Sequence, residues 1–367
     1  MNNVELKLKN TPEQIELFEA AASSDSIKRA QAQEAIAKFI GPVIRQVIDL
    51  AGFTQDLYDE QPYNEDDTPM FPLDLYYGAG VNSVTVWQQN SAGGLGTTNV
   101  YGLQEMPIQT FRLDSAVSFN EKTIRRGRLP YISLGLNRMA QELLRKVENN
   151  GFYILLKALA EARTNSLEHL IQSATADVLQ LDDFNKLITR SKRINSAWDG
   201  GTPTAPYSNG ATDLYLSPEM MEQIRAFAYQ PMNTRGVPNS DESTVIPLPE
   251  RIREEIYNNA GVPEIYGKAI HELHELGISK RYNTIFDNLY SGALTFGTAN
   301  QELVIGVDRS RKALIKPIAQ NADNSSTFES KVDDQWTLRS GKLGWFTAAE
   351  MGFVCVDSRI LSGLVIQ

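Results

Sequence analysis

Two of the three histidines stand together, in Ala269-Ile270-His271-Glu272-Leu273-His274-Glu275-Leu276. The order invites comparison with the zinc helix of metalloproteases. That motif needs histidines four apart, with a glutamate beside the first, so that both rings face one metal. Here they are three apart. Three apart is still one face of a helix, so His271, His274 and Glu275 form an alternative metal site; surface histidines on a polar segment are the preferred reading. His169 stands alone and receives no role. Gly93-Gly94-Leu95-Gly96 lacks the Lys-Ser/Thr, the preceding buried strand and the following helix of a phosphate loop, and reads as a hairpin tip. Ser217 has no Gly-x-Ser-x-Gly elbow around it and sits where a helix cap belongs. Asp182-Asp183 reads as a cap and Glu254-Glu255 as a solvated helix face. Arg125-Arg126-Gly127-Arg128 is the densest basic cluster. A solvated or salt-bridging turn is its first reading, an intersubunit or phosphate contact its second. No set supplies nucleophile, base and orienting group together. The sequence therefore predicts no catalysis, no cofactor and no metal.

The elements that carry these residues are organised around one stretch, Pro130 to Ala162. Apolar residues at Ile132, Leu136, Met139, Leu143, Val147, Ile154, Ala158 and Ala162 repeat near 3.6 and mark one helix face. Leu144, Leu155 and Leu159 widen it. Pro130 suits a first turn, where its missing N–H would lack a partner anyway. Asn149-Asn150-Gly151 is a weak point, since glycine costs about 1 kcal/mol against alanine, and a bend there is expected. A continuous helix of this length spans roughly 45–50 Å, well beyond the usual 11–12 residues or so.

The rest of the chain follows in order. Thr11-Pro12-Glu13 starts a helix, and Asp25-Ser26 starts another through Ile27, Ala30, Ile36, Phe39 and Ile40, with Gly41-Pro42 as an interruption. These first 50 residues are too few to own a core. Residues 54–80 mix acids, prolines and aromatics, as expected of an extended segment that lies on something else. Residues 81–105 read as a long hairpin through Val84, Val86, Trp87, Val100 and Tyr101. Ile108–Phe119 reads as a strand. After the long helix come a helix from Asp182, a strand at Leu214-Tyr215-Leu216, a helix from Ser217-Pro218-Glu219, and strands at Ile278–Phe286 and Leu303–Val307. Ala313–Ile315 is expected to continue that sheet. Closing strands lie within Trp336–Ile366, about Gly352.

Composition narrows the class. The chain has 367 residues, 42% hydrophobic and 22% charged, which is ordinary for a folded protein. Lys+Arg 35 against Asp+Glu 45 gives a net charge of −10, which argues against a dedicated nucleic-acid binder. Cys355 is the single cysteine, so no intrachain disulfide forms. Neither a secretory h-region near Met1 nor a run of 18 apolar residues is evident, and no membrane partner is expected.

Taken together, the order of elements resembles the major capsid proteins of tailed phages, with the Hong Kong phage-type fold, an α+β architecture. Val117-Ser118-Phe119-Asn120-Glu121-Lys122 before Pro130 looks like that family's lead-in to its spine helix. Leu214–Ile224, with Ser217-Pro218 at its centre, looks like the strand–helix segment of the axial domain. Leu303–Asp308 looks like the strand leading out of it. Gly341–Phe346 and Met351–Asp357 look like the closing strands of the peripheral domain. The resemblance covers most of residues 70–367.

The resemblance implies an N-terminal arm at 1–80, an extended loop at 81–105, a peripheral domain with the spine helix at 106–179, an axial domain at 180–315 and closing peripheral strands at 316–367. It implies a structural protein of the virion that self-assembles as pentamers and hexamers into an icosahedral shell, put together in the host cytoplasm. Expected partners are further copies of itself, a portal, scaffolding or decoration proteins, and packaged dsDNA held without sequence specificity. Arm and loop would lie on neighbouring subunits, because neither alone buries enough to offset about 1–2 kcal/mol per residue of backbone ordering. Intersubunit contacts are expected at Trp87, Gly93, Gly94, Leu95, Tyr101, Arg125, Arg126 and Arg128. The loop from Val81 to Glu105 contains no lysine, so the lysine–asparagine crosslink of some members is not expected. The arm is short for a cleaved N-terminal scaffold, so a separate scaffolding protein or none is expected. The alternatives are an encapsulin-like compartment shell and a metal-dependent enzyme using His271 and His274.

Overall fold

The computed structural model describes residues 11–23, 25–50, 52–72, 105–125, 129–164, 167–198, 210–227, 264–294, 296–297, 301–320, 329–333 and 340–366. The chain divides into two units: Met1–Phe71 with Pro107–Gly151 and Leu314–Val354, and Pro72–Met106 with Phe152–Ala313 and Cys355–Gln367. In chain order the elements are α1 (Pro12–Ala21), α2 (Ser26–Leu50), α3 (Phe53–Leu57), β1 (Asp59–Asn64), β2 (Met70–Pro72), β3 (Glu105–Pro107), β4 (Thr110–Asn120), α4 (Glu121–Arg125) and α5 (Leu129–Glu161). Then come β5 (Arg163–Thr164), β6 (Leu167–Glu168), β7 (Leu170–Gln172), α6 (Leu181–Trp198), β8 (Asp213–Leu216), α7 (Pro218–Phe227), β9 (Glu264–Ile265), β10 (Lys268–Glu272) and α8 (Arg281–Leu289). The last strands are β11 (Glu302–Val307), β12 (Leu314–Gln320), β13 (Glu329–Val332), β14 (Lys342–Gly352), β15 (Val354–Cys355) and β16 (Leu361–Ile366). Among the described residues no helix is long and apolar enough to cross a membrane.

Helix α5 is one element of 33 residues, about 50 Å at 1.5 Å per residue. Ile132, Leu136, Met139, Leu143 and Val147 are buried along its first part. Past Gly151 the buried positions are Phe152, Leu155, Leu156 and Leu159, while Ile154 and Ala158 are only half-buried. Gly151 does not end the helix. A Cβ there would meet Thr54 Cγ2 at 2.5 Å, and the Tyr58 hydroxyl donates to the Gly151 carbonyl at 2.8 Å. The glycine serves a close approach, which offsets its cost in helix propensity.

The first unit is built on a mixed sheet in the order β1-β12-β14-β13, with β4 also paired to β14. β4 and β14 run antiparallel over their whole lengths, from Thr110↔Gly352 to Asn120↔Lys342. Leu113 and Phe119 point inward from β4, and Trp345 is fully buried on β14. Phe119 reaches α5, where Gly135 leaves room for its ring: a Cβ would lie 2.7 Å from it.

Two expectations for the N-terminal segment are corrected. Helix α2 continues through Pro42, because a proline removes one hydrogen bond without preventing later residues from donating. Its near half is held by Ile36, Ala37 and Ile40, buried to 2%, 3% and 1% exposure, although Ile27 and Phe39 lie off that stripe and are exposed. The described part of the arm also packs on its own unit, where the sequence predicted neighbours. β1 pairs in parallel with β12, from Asp59↔Ile315 to Asn64↔Gln320. Pro62 is tolerated because β1 is an edge strand. Glu60 meets the buried Lys316 Nζ at 2.9 Å.

The second unit contains a mixed sheet in the order β7-β16-β11-β8-β10-β9. Phe184 and Leu187 of α6 and Met220, Met221 and Ile224 of α7 share one apolar cluster with Leu214, Leu216, Ile270, Val304 and Leu364 of the sheet. Two further expectations fail here. Residues 278–286 are not a strand: α8 begins at Arg281, and Tyr282 and Phe286, four apart, are its buried face. That period is helical, but a short apolar run obscures it. β12 does not continue the sheet of β11. A 3-10 turn at Arg309–Arg311, capped by Asp308 and ended by Lys312 at φ 47°, redirects the chain, and β12 joins the first unit's sheet.

Candidate functional site

The histidine pair is not brought together. Residues 268–272 are strand rather than helix, so the one-face argument for His271 and His274 does not apply. β8 and β10 are parallel neighbours, with His271 opposite Tyr215 and Ala269 opposite Asp213. His271 Nε2 lies 2.8 Å from Asp213 Oδ1, and its ring stacks on Tyr215 at 4.9 Å. The Thr212 hydroxyl donates to Asp213 Oδ2 at 2.6 Å, and Arg309 Nη1 is 3.6 Å from Oδ1. Burial alone would raise the Asp213 carboxyl, but the bonds from His271 and Thr212 and the Arg309 charge outweigh it and hold it below the usual range. His274 is 81% exposed, 3.9 Å from Glu272. Among the described residues no group of three or more His, Cys, Asp or Glu is arranged to hold a metal.

The remaining chemistry-bearing residues act on the fold. The Ser217 hydroxyl accepts from Met220 N at 3.2 Å, as a cap should. Asp183 reaches back to Gln180 N and also accepts from Ala174 N, while Asp182 pairs with Lys186 at 2.9 Å. His169, given no role by the sequence, is fully buried. Its Nδ1 lies 3.1 and 2.9 Å from the carbonyls of Ser358 and Leu361, at the entrance to β16. Burial pushes its pKa down, so the ring is neutral and Nδ1–H donates. Burial of the thiol, with Asp357 nearby, pushes half-buried Cys355 up to about 12, which keeps it protonated at neutral pH. Glu254-Glu255 lies outside the described residues.

The expected contact residues fall mostly outside what is described. Trp87, Gly93, Gly94, Leu95 and Tyr101 belong to 73–104, and Arg126 and Arg128 to 126–128. Arg125 is the last residue of α4. The strands that flank 73–104 are paired. β2 pairs with β3, and Ile108 N donates to the Pro69 carbonyl at 2.9 Å. The hydroxyls of Tyr63 and Thr110 both donate to Glu350 Oε1 at 2.9 Å. Burial and the Glu350 carboxylate push the Tyr63 phenol up to about 12.

No family model matches the chain, and no curated protein matches it in sequence. Solved structures do match. A chain of Microbacterium phage Oxtober96 aligns with a TM-score of 0.51 and 11% identity, covering 86% of this chain and 90% of that one. A chain from the capsid of an empty GTA particle aligns with a TM-score of 0.50 and 10% identity, covering 85% and 88%. The chain has the phage capsid fold. At such identities the fold is what is shared. An encapsulin complex from Synechococcus elongatus PCC 7942 also aligns, at a TM-score of 0.40 and 9% identity over 84% of this chain and 85% of that one; a likeness at that level carries no argument.

One surface escaped the sequence reading: the face between α6 and the β9–β10 hairpin, where Lys192 and Lys268 line a common cavity. The signal available was Ile265-Tyr266-Gly267-Lys268, a two-residue turn between short strands.

Proposed function

We propose that the chain is the major structural subunit of a tailed-phage head, a protein without catalytic activity that self-assembles into an icosahedral shell around dsDNA. The carrying observation is the two-way coverage of the match, 86% of this chain and 90% of a phage chain, which leaves little of either fold unaccounted for. The zipped base of residues 73–104 supports the reading of that segment as the extended loop, since a projecting segment needs a fixed root. In this reading 106–179 and 316–367 form the peripheral domain and 180–315 the axial domain. Loop contacts to neighbours come from Trp87, Gly93, Gly94, Leu95 and Tyr101, and Arg125, Arg126 and Arg128 supply intersubunit or phosphate contacts. The net charge of −10 confines DNA contact to local basic patches on the inner face, with weak, salt-sensitive binding. A portal and scaffolding or decoration proteins complete the partner set.

Electron microscopy of the purified chain tests this directly. Closed shells of hundreds of subunits are expected. Small shells filled with a cargo enzyme would favour a compartment, and a monodisperse monomer that retains zinc would overturn the structural role.

A further inference from the structure

Among the described residues, β4 is the long sheet edge that nothing guards. Its eleven residues pair with β14 alone, and the register runs without a break from Thr110↔Gly352 to Asn120↔Lys342. Along the outer side of such an edge, every second residue presents an N–H and a C=O to no strand. At about 3.4 Å per residue the row is about 37 Å long. Edges are normally blunted by shortness, lysine, proline, a bulge or an inward-pointing charge. The other outer strands follow that rule. β1 carries Pro62 and the acids Asp59 and Glu60. β13 has four residues, with Lys331 exposed. β7 and β9 have three and two residues. β4 has no lysine, no proline and no bulge, and its inward positions, Phe111, Leu113, Ser115, Val117 and Phe119, carry no charge.

The covered face of the sheet also runs out unfinished at β4. Trp345, Thr347 and Met351 are buried on β14. Opposite them stand Val117, Ser115 and Phe111, all only half-buried. A further strand would complete these rows. On the other face Arg112, Asp114, Ala116, Ser118 and Asn120 are exposed. The charges there cancel, with Arg112 Nε 2.8 Å from Asp114 Oδ1.

We propose that the outer edge of β4 pairs antiparallel with the same edge of a second copy, across a twofold axis at Ser115, so that one sheet runs through both subunits. This rests on the shell reading, because an icosahedral shell has twofold axes and a contact on such an axis is isologous. A centre at Ser115 engages all eleven residues. It sets Phe111 opposite Phe119 of the second copy and Leu113 opposite Val117, apolar against apolar. It sets Arg112 opposite Ser118 and Asp114 opposite Ala116, so no like charges face each other. A centre one residue earlier would put Asp114 against itself, which is destabilising.

The test is a disulfide scan of the full chain in a Cys355→Ser background, oxidised with glutathione disulfide and read on non-reducing gels before and after assembly. Opposed Cα atoms of an antiparallel pair lie about 4.5–5.5 Å apart, inside the range of about 4.4–6.8 Å for a disulfide. Ser115→Cys should therefore link two copies. Asn120→Cys should not, being about 34 Å from its own counterpart. Added to Ser115→Cys, Ala116→Asp faces Asp114 twice across the axis and should slow linking about three- to tenfold, whereas Ala116→Lys should speed it. A purely structural role would not give opposite signs. Free thiol in Ser115→Cys shells, equal linking at both positions, or slowing by both charge variants would overturn the proposal and give the edge to another strand. Linked dimers that build no shell would instead overturn the shell reading and keep the pairing.

Discussion

At the scale of single residues, two acids in the second unit have opposite pH behaviour. Glu302 is buried to 3% exposure and accepts from Ile278 N at 3.3 Å. Burial, with some help from Glu219, pushes its carboxyl above the ordinary 4.5, against the bonds from Ser217 and Ile278. A raised folded-state pKa means the fold prefers the protonated form. Its stabilising effect is full below the unfolded value and is lost as pH rises through the folded one. Glu302→Gln should therefore raise the melting temperature at pH 8 and change it little at pH 4, in a thermal-melt series. Asp213 is the reverse case, with a depressed folded pKa. Its contribution is present above the ordinary 3.8 and is lost as pH falls through the lowered value. Asp213→Asn should cost about 1.5–3 kcal/mol at pH 7 by denaturant titration, the range for hydrogen bonds to charged groups, and should flatten the acid limb of the stability profile. The sequence could not show this pairing. His271 drew attention to His274 because the two are near in the chain, whereas its real partner is 58 residues away, brought in by the ladder between β8 and β10.

Among the elements, legibility followed the length of the periodic signal. The long helix lies where the 3.6 repeat placed it, and β8 and β11 lie where short apolar runs did; β14 runs on from the expected Leu343–Phe346 through Gly352, where a turn was expected. Helix α8 was not legible, because a turn or two of helix and a short strand carry similar apolar content. The fate of Gly151 was also illegible, since its reason lies in Thr54 and Tyr58, far off in sequence. Alanine normally stabilises a helix over glycine. Here Gly151→Ala should destabilise by about 1–3 kcal/mol, as overpacking does. Thr54 cannot swing aside: its hydroxyl donates to Glu148 Oε1 at 2.6 Å and its N–H to the same oxygen at 3.1 Å. Thr54→Ser keeps the hydroxyl and deletes the offending methyl, so the double variant should recover most of the loss in chemical denaturation. Edge strand β1 gives another test. Glu60→Gln leaves Lys316 buried without its charged partner. Full burial of both ions would make that cost about 3–5 kcal/mol; with Glu60 40% exposed, about 2 kcal/mol is expected from urea unfolding.

For the whole molecule, the order of elements was enough to indicate the fold, although pairwise identity to the solved phage and GTA chains is only 11% and 10%. Architecture is recorded in the succession of strand, long helix and mixed sheet, which survives when individual residues do not. The course of the N-terminal segment was not recorded in that way. Its prolines and acids signal an extended chain seeking a partner, and nothing in them distinguishes a strand of its own sheet from a neighbour's surface. Deleting residues 88–99 should leave the circular dichroism spectrum and melting temperature of the subunit close to wild type, because the base of the loop at Pro69 and Ile108 is untouched. The same deletion should abolish or distort shells under electron microscopy. Normal shells would remove the assembly role given to the loop.

The union of β1 with β12 also bears on how the polypeptide is made. Glu60 and Lys316 are 256 positions apart, so at about 5–20 residues per second the first strand waits roughly 13–50 s on the ribosome for its mate. During that interval an edge with unmet amide groups faces the crowded cell. The first unit cannot close before Leu314–Val354 has emerged, nor the second before Cys355–Gln367 has. Truncation before Leu314 should therefore discard both halves at once, since it removes β12 and β14 from one sheet and β16 from the other.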